Sequence, residues 1–148
     1  MQTIAQQNPH IHAGPTQMLA APVSARRSWA GIVVTALPVL FLLFDAVMKL
    51  VNPAPVVESM RSLGYPLDLA PAIGVLQLAC IAAYVVPRTS VLGAILLTGY
   101  LGGAVATHVR VGNPLASHVL FPVYVGVLVW AGLYLREPRL RALVPLRG

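Results

Sequence analysis

The sequence places an aspartate and a lysine four residues apart, Asp45 and Lys49, near the end of an otherwise apolar stretch. A carboxylate can accept a proton or a hydrogen bond and an ammonium group can donate one, so the pair could hold a polar ligand group or move a proton. The acid precedes the base by one helical turn, which is the favourable order for an ion pair. An aspartate inside a membrane helix costs about 2.5 to 3.5 kcal/mol on insertion scales, so we expect either a functional role or an ion-paired structural role for Asp45.

Other polar residues lie in the remaining apolar segments at similar predicted depths. At a rise of ~1.5 Å per residue from the expected helix ends, Asp45 lies ~9 Å below one membrane boundary and Gln77 and Tyr100 lie ~13 Å below it. We therefore predict a polar pocket open to one side of the membrane, within a bundle whose other half is apolar. The candidate ligand-binding residues are Gln77 and Tyr100 at its floor, Asp45, Thr107 and His108 in its walls, and Lys49 and Arg110 beside them.

Structural interpretations of these residues stay open. Short polar side chains often join membrane helices through hydrogen bonds, each worth roughly 0.6 kcal/mol, and Gln77, Thr98 and Thr107 could serve only in this way. His108 and His118 could titrate or bind a metal, but a metal site needs three or four convergent ligands and the spacing supplies two. We predict no metal site and no evident cofactor.

Composition indicates the elements that must position these residues. The chain is 57% hydrophobic and only 9% charged, with a mean hydropathy of +0.78, which is typical of an integral membrane protein. Four apolar stretches of about 17 to 23 residues match the ~20 residues that a helix needs to cross a bilayer, and no alternating strand pattern is present. We predict an all-α, four-helix membrane bundle in residues 26–148, preceded by a disordered tail in residues 1–25. The predicted transmembrane helices are residues 29–51, 68–86, 90–109 and 118–135.

The distribution of basic residues predicts the orientation. Lys and Arg in short flanks are retained in the cytoplasm, and with four crossings both termini share one side. That side carries Arg26, Arg27, Arg88, Arg136, Arg139, Arg141 and Arg147, whereas the other carries Lys49, Arg61 and Arg110. We therefore expect both termini in the cytoplasm and the polar pocket on the extracytoplasmic side. The net charge of +6 then reflects topology and attraction to lipid, and nucleic-acid binding is not supported.

The third predicted helix carries two rows of small residues. Gly99 and Gly103 form a GxxxG pattern, and a second row contains Ala94, Thr98, Gly102 and Ala106. Such rows let helix backbones approach closely, so we expect core packing of this helix or self-association as a homodimer through the Gly99/Gly103 face.

Motifs for self-contained catalysis are missing from the sequence. Cys80 is the single cysteine, which excludes an intrachain disulfide and a CxxC redox pair. There is also no Walker loop, HExxH motif, nucleophile elbow or dinucleotide fingerprint. We expect that the protein is not an enzyme on its own.

Four stretches of the chain resemble the DoxX-like family of small four-helix bacterial membrane proteins. They are FDAVMKL, LGYP, the block from IGVLQL to RVGNP that contains PRTSVLGAILLTGYLGGAVATHVR, and the closing VYVGVLVWAGLYLREPRLRALVP. The resemblance spans roughly residues 29–145. The family pattern places a glutamate where this chain has Gln77, and that departure argues against a proton-linked role at this position.

The resemblance implies a location in the bacterial inner membrane and suggests two functions. Founding members of the family are similar to membrane subunits of a thiosulfate:quinone oxidoreductase, which implies an accessory or redox-associated subunit that binds a quinone and contacts a redox partner subunit. The positions that the resemblance transfers are Asp45, Lys49, Pro87, Arg88, Gly99, Tyr100, Gly103, Thr107, His108 and Arg110. The alternative is a non-catalytic membrane scaffold or small transporter-like protein, in which these residues only specify helix packing.

Overall fold

The computed structural model describes residues 25–138 and residue 140. The predicted disordered tail lies almost entirely outside the described residues. The described part of the chain is helical and contains no strand. Its elements are α1 (Ala25–Val51), α2 (Ala54–Ser62), α3 (Leu69–Val85), α4 (Ser90–Arg110), a π-helical turn (Leu115–Val119) and α5 (Phe121–Arg136).

Three segments are long and apolar enough to cross a bilayer, namely Trp29–Val51, Ser90–Arg110 and Leu115–Arg136. The fourth predicted crossing, α3, is shorter: its 17 residues rise ~25 Å, against ~30 Å for the hydrocarbon layer. The all-helical prediction is confirmed, and the arrangement of three long helices and one shorter one is compatible with the predicted membrane bundle. The last helix begins at Phe121 rather than at residue 118, because the π-helical turn precedes it.

Helices α1, α3, α4 and α5 form a square in which each packs against two neighbours. Helix α1 packs against α3 and α5, and α4 packs against the same two helices, so α1 and α4 lie on opposite corners. Along the chain, each of these four helices runs antiparallel to the one before it, as their cross-helix contacts show. We call the end where α1 and α4 finish and where α3 and α5 begin the loop end.

The half of the bundle away from the loop end is held by apolar packing and by hydrogen bonds to backbone. Leu97 and Leu133 are fully buried there, as is Tyr84, whose hydroxyl donates to the Val129 carbonyl oxygen at 2.8 Å. Arg136 donates to the Tyr84 carbonyl oxygen at 2.6 Å, and its guanidinium carbon lies 4.5 Å from the centre of the Tyr84 ring. This contact satisfies a carbonyl in the last turn of α3, where a helix has no partner of its own.

Gly93 sets the distance between α3 and α4. A Cβ atom built on Gly93 would lie 2.1 Å from the Tyr84 backbone nitrogen and 2.3 Å from its Cα. No side chain fits at such a separation, so the two helices approach here because residue 93 is a glycine.

Candidate functional site

Gln77 lies at the centre of a hydrogen-bonded network that joins α1, α3 and α4. Its Nε2 donates to the Leu42 carbonyl oxygen and to Asp45 Oδ2, each at 2.9 Å. Its Oε1 accepts from the Tyr100 hydroxyl at 2.7 Å and from Lys49 Nζ at 3.4 Å. A glutamine amide has two hydrogens to donate and two lone pairs to accept with, so the fully buried Gln77 uses its whole hydrogen-bonding capacity within the protein.

Asp45 and Lys49 form the charged part of this network. Lys49 Nζ donates to Asp45 Oδ2 across one turn of α1, which is the ion pair that the sequence spacing predicts. Both residues are half-buried, in contrast to Gln77. Lys49 uses two of its three hydrogens on Asp45 and Gln77, and within the described chain no donor reaches Asp45 Oδ1. The pair therefore keeps one donor and one acceptor oxygen for another molecule.

Two features of the helices place the charged pair against Gln77. Leu42, Asp45 and Lys49 follow the i, i+3, i+7 spacing that keeps side chains on one face of α1. On α3, a Cβ atom at Gly74 would lie 3.0 Å from the Ala46 carbonyl oxygen, so the glycine allows α3 to approach α1 one turn before Gln77. Because Gln77 is then within reach of the α1 backbone, it can bond to Leu42 and Asp45 together.

A second set of contacts lies at the rim of the loop end. The Tyr65 hydroxyl and Thr107 Oγ1 are 2.9 Å apart, and Thr107 also donates to the Gly103 carbonyl oxygen at 2.9 Å. Arg110 donates to the Leu63 carbonyl oxygen, and its guanidinium carbon lies 5.9 Å from the centre of the Tyr65 ring. These contacts join the loop between α1 and α3 to the last turn of α4.

The two histidines form a third group at the same end. Their rings meet edge to face with centres 5.7 Å apart. His108 Nδ1 is 2.8 Å from Asn113 Nδ2, and His118 Nδ1 is 2.8 Å from Ser117 Oγ. Among residues 25–138 and 140, no group of three or more His, Cys, Asp or Glu side chains is placed to hold a metal ion.

The structure joins some of the predicted site residues directly and separates others. Asp45, Lys49, Gln77 and Tyr100 share the network, as their similar predicted depths suggest. Thr107, His108 and Arg110 lie at the same end, but no hydrogen bond links them to the network in the described part of the chain. Ligand binding by these seven predicted site residues remains a prediction.

Tyr65 is the contact residue that sequence reasoning missed. It lies in an aperiodic loop, where neither hydropathy nor helical spacing assigns a side chain to a neighbour. The available signal was its place in the stretch LGYP, directly after Gly64, whose φ of +71° marks a turn.

The prediction that the small residues of α4 pack in the core was wrong for most of them. Ala94 is fully buried, but a Cβ atom at Gly99, Gly102 or Gly103 would have no neighbour within 4 Å. Within residues 25–138 and 140, no other helix packs closely against these three glycines. Gly102 instead lines an apolar groove of about 770 Å³ between α4 and α5, which also includes Gly126 and Trp130.

Comparison with known proteins supplies one match. A sequence profile described as the DoxX-like family matches residues 33–132, which include the network and all of α3 and α4. Searches of curated proteins and of solved structures found no match to the chain.

Proposed function

The chain belongs to the DoxX-like family, and we propose that it is an accessory, redox-associated membrane module that binds the polar head of a lipophilic ligand, such as a quinone, at Asp45 and Lys49. One observation carries the proposal: a buried amide holds a half-buried charged pair that retains hydrogen-bonding capacity. The proposed role is ligand binding within a larger redox system, in which a partner subunit carries the electrons.

The chemistry of the charged pair fits a quinone head group. A quinone offers carbonyl oxygens that accept hydrogen bonds, and the third Lys49 hydrogen can supply one. Asp45 Oδ1 can accept a hydrogen bond or a proton from the reduced, hydroxylated form. Quinone supplies redox chemistry when bound, while this chain contributes the donor, the acceptor and the orientation that Gln77 and Tyr100 impose on them.

Quinone binding should depend on the charge of Asp45. We expect a short-tailed quinone to raise the melting temperature of the purified protein in nanodiscs. In Asp45→Asn, we expect the same rise to need at least a tenfold higher quinone concentration. The physical reason is that the asparagine no longer anchors the Lys49 ammonium, and a charge-assisted hydrogen bond is worth about 1.5 to 3 kcal/mol.

The matched control for this experiment is Asp68→Asn. Asp68 is exposed at the start of α3 and belongs to no network contact, so this variant should keep the full shift. If the unmodified protein shows no quinone-dependent shift, or if Asp45→Asn keeps it, the ligand proposal fails.

A second candidate function is a non-catalytic membrane scaffold or small transporter-like protein. This function is favoured by Gln77, whose hydrogen-bonding groups are all used within the protein, because such a network can serve helix packing alone. The groove between α4 and α5 favours it as well, since this groove is lined without Asp45 or Lys49. Under this function the substitutions above change the melting temperature but no ligand affinity.

We further propose that both termini are cytoplasmic in the bacterial inner membrane. Support comes from the antiparallel helices, which separate Arg88 and Arg136 from Lys49, Arg61 and Arg110 at the loop end. We also propose that Gly99 and Gly103 form a contact surface for a second copy of the chain or for a redox partner subunit. The open space in front of these glycines in the described structure supports this proposal.

A further inference from the structure

The segment between α1 and α3 must cross the loop end of the bundle. The chain leaves α1 at Val51, contacts α4 through Leu63 and Tyr65, and returns to begin α3 at Leu69. Because α1 and α4 occupy opposite corners of the square, the segment spans the loop end from one corner to the opposite one. On α4, the network residue Tyr100 lies seven residues before Thr107, which is ~10 Å further from the loop end.

The side chains of α2 agree with a cover over the bundle. Met60 is buried, and Val56 and Val57 are half-buried, whereas Glu58, Ser59, Arg61 and Ser62 are exposed. The apolar face of α2 therefore points toward the protein and its polar face points away. We refer to residues 52–68 as the cap.

Few contacts hold the cap in place. Among the described residues, the side-chain hydrogen bonds that reach the cap from outside it are the Tyr65–Thr107 bond and the Arg110 bond to the Leu63 carbonyl oxygen, both made by the last turns of α4. Gly64 forms the turn between the two contact residues Leu63 and Tyr65, and its φ of +71° is a conformation that other residues rarely adopt. We call these two bonds the latch.

The backbone of the cap turns at two positions, Asn52 and Gly64. Asn52 has a φ of +53° and precedes Pro53, and Gly64 has a φ of +71° and lies two residues before Pro66. Residues held in the left-handed region interrupt regular structure and are common where a segment turns. A segment with little buried surface and few hydrogen bonds opens at low free-energy cost.

From this geometry we propose that residues 52–68 form a cap over Asp45 and Lys49, and that the latch made by Thr107 and Arg110 controls access to this pair. The inference rests on the proposed function in that it assigns a regulated entrance to the same site. Opening of the latch exposes the pair to the aqueous side and to the polar head of the ligand.

Accessibility of a single cysteine tests the proposal without any quinone. Ala104 is half-buried on α4 and shares a helix face with Tyr100 and Thr107, so Ala104→Cys places a thiol between the network and the cap. The native cysteine is removed by Cys80→Ser, and the full chain is placed in nanodiscs of phosphatidylcholine and phosphatidylglycerol. The reaction rate with a charged, membrane-impermeant methanethiosulfonate reagent is then measured.

Removal of either latch bond should raise this rate. We expect about a fivefold increase in Tyr65→Phe, since one neutral hydrogen bond is lost, and about a tenfold or greater increase in Arg110→Gln, since a charge-assisted bond and the ring contact are lost. Matched controls are Tyr124→Phe and Arg61→Gln, which change an exposed tyrosine and an exposed arginine outside the latch. Neither control should change the rate by more than about twofold.

Two results would overturn the proposal. One is an unchanged labelling rate in both latch variants. The other is an equal rise in labelling of the buried native Cys80, measured in Arg110→Gln without the Ala104→Cys change, because this would mean that the whole bundle had loosened. Thiol labelling needs no bound ligand, so the labelling result tests the cap even if the quinone titration fails. In the same way, the quinone titration tests ligand binding even if the labelling rates do not change.

Discussion

Replacing Gly93 with alanine is expected to lower the free energy of unfolding by about 3 kcal/mol or more. The added methyl group would lie 2.1 Å from the Tyr84 backbone nitrogen, which no rotamer change can relieve because the obstacle is backbone. The connection between α3 and α4 is only four residues long, so it holds the two helices close together at this point. Thermal unfolding of the purified protein in detergent, followed by tryptophan fluorescence, measures the effect.

Gly102→Ala is the matched control for this substitution. The same methyl group would meet no atom within 4 Å at position 102, and alanine is the better helix former by about 0.8 to 1.0 kcal/mol. We expect an unchanged or slightly higher melting temperature. Equal losses of stability in the two variants would show that α3 and α4 do not approach at Gly93.

Replacing Gln77 with leucine is expected to destabilise the protein by about 2 to 4 kcal/mol. Leucine has a similar size but no polar atoms, so the Leu42 carbonyl, the Tyr100 hydroxyl and Asp45 each lose a partner inside the bundle. An unsatisfied buried polar group costs about 1 to 3 kcal/mol, and membrane hydrogen bonds lie toward the lower end. The expected consequence is a lower melting temperature together with weaker quinone binding, because Asp45 and Lys49 are no longer held from α3.

Thr98→Val and Gln77→Glu are comparison variants for the stability of Gln77→Leu. Thr98 accepts a hydrogen bond from the Trp130 indole at 2.9 Å on an exposed part of α4, so its loss should cost only about 0.6 kcal/mol. A protonated glutamate keeps the acceptor oxygen for Tyr100 but has one hydrogen to donate instead of two, so Gln77→Glu should lie between wild type and Gln77→Leu. A Gln77→Leu protein as stable as Thr98→Val would contradict the central position of the network.

The network was largely predictable because its residues lie in regular helices. A rise of ~1.5 Å per residue and alternating helix directions place Asp45, Gln77 and Tyr100 at nearly the same level. The ion pair between Asp45 and Lys49 follows from their spacing alone. Depth does not give the bonding pattern, and the central role of Gln77 depends on the close approach of α3 to α1 at Gly74.

Other features could not be predicted from periodicity. A small residue can permit close packing, but its spacing does not say which face meets a neighbour, and so core packing was expected at Gly99 and Gly103 but not at Gly93. The path of the cap depends on turns at Asn52 and Gly64 and on one tyrosine in the loop, which leave no repeating signal. Length alone also overstated α3, since its apolar run continues to Val86 whereas the helix ends at Val85.

The most direct test of the proposed site is the electron density of the protein crystallised from a lipid mesophase with a short-tailed quinone. We expect Gln77 to be bonded to Leu42, Asp45 and Tyr100, with a ligand carbonyl oxygen ~2.7 to 3.2 Å from Lys49 Nζ beneath the cap. An Asp45 side chain that points toward acyl chains and away from Gln77, with no quinone at the loop end, would contradict the proposed site.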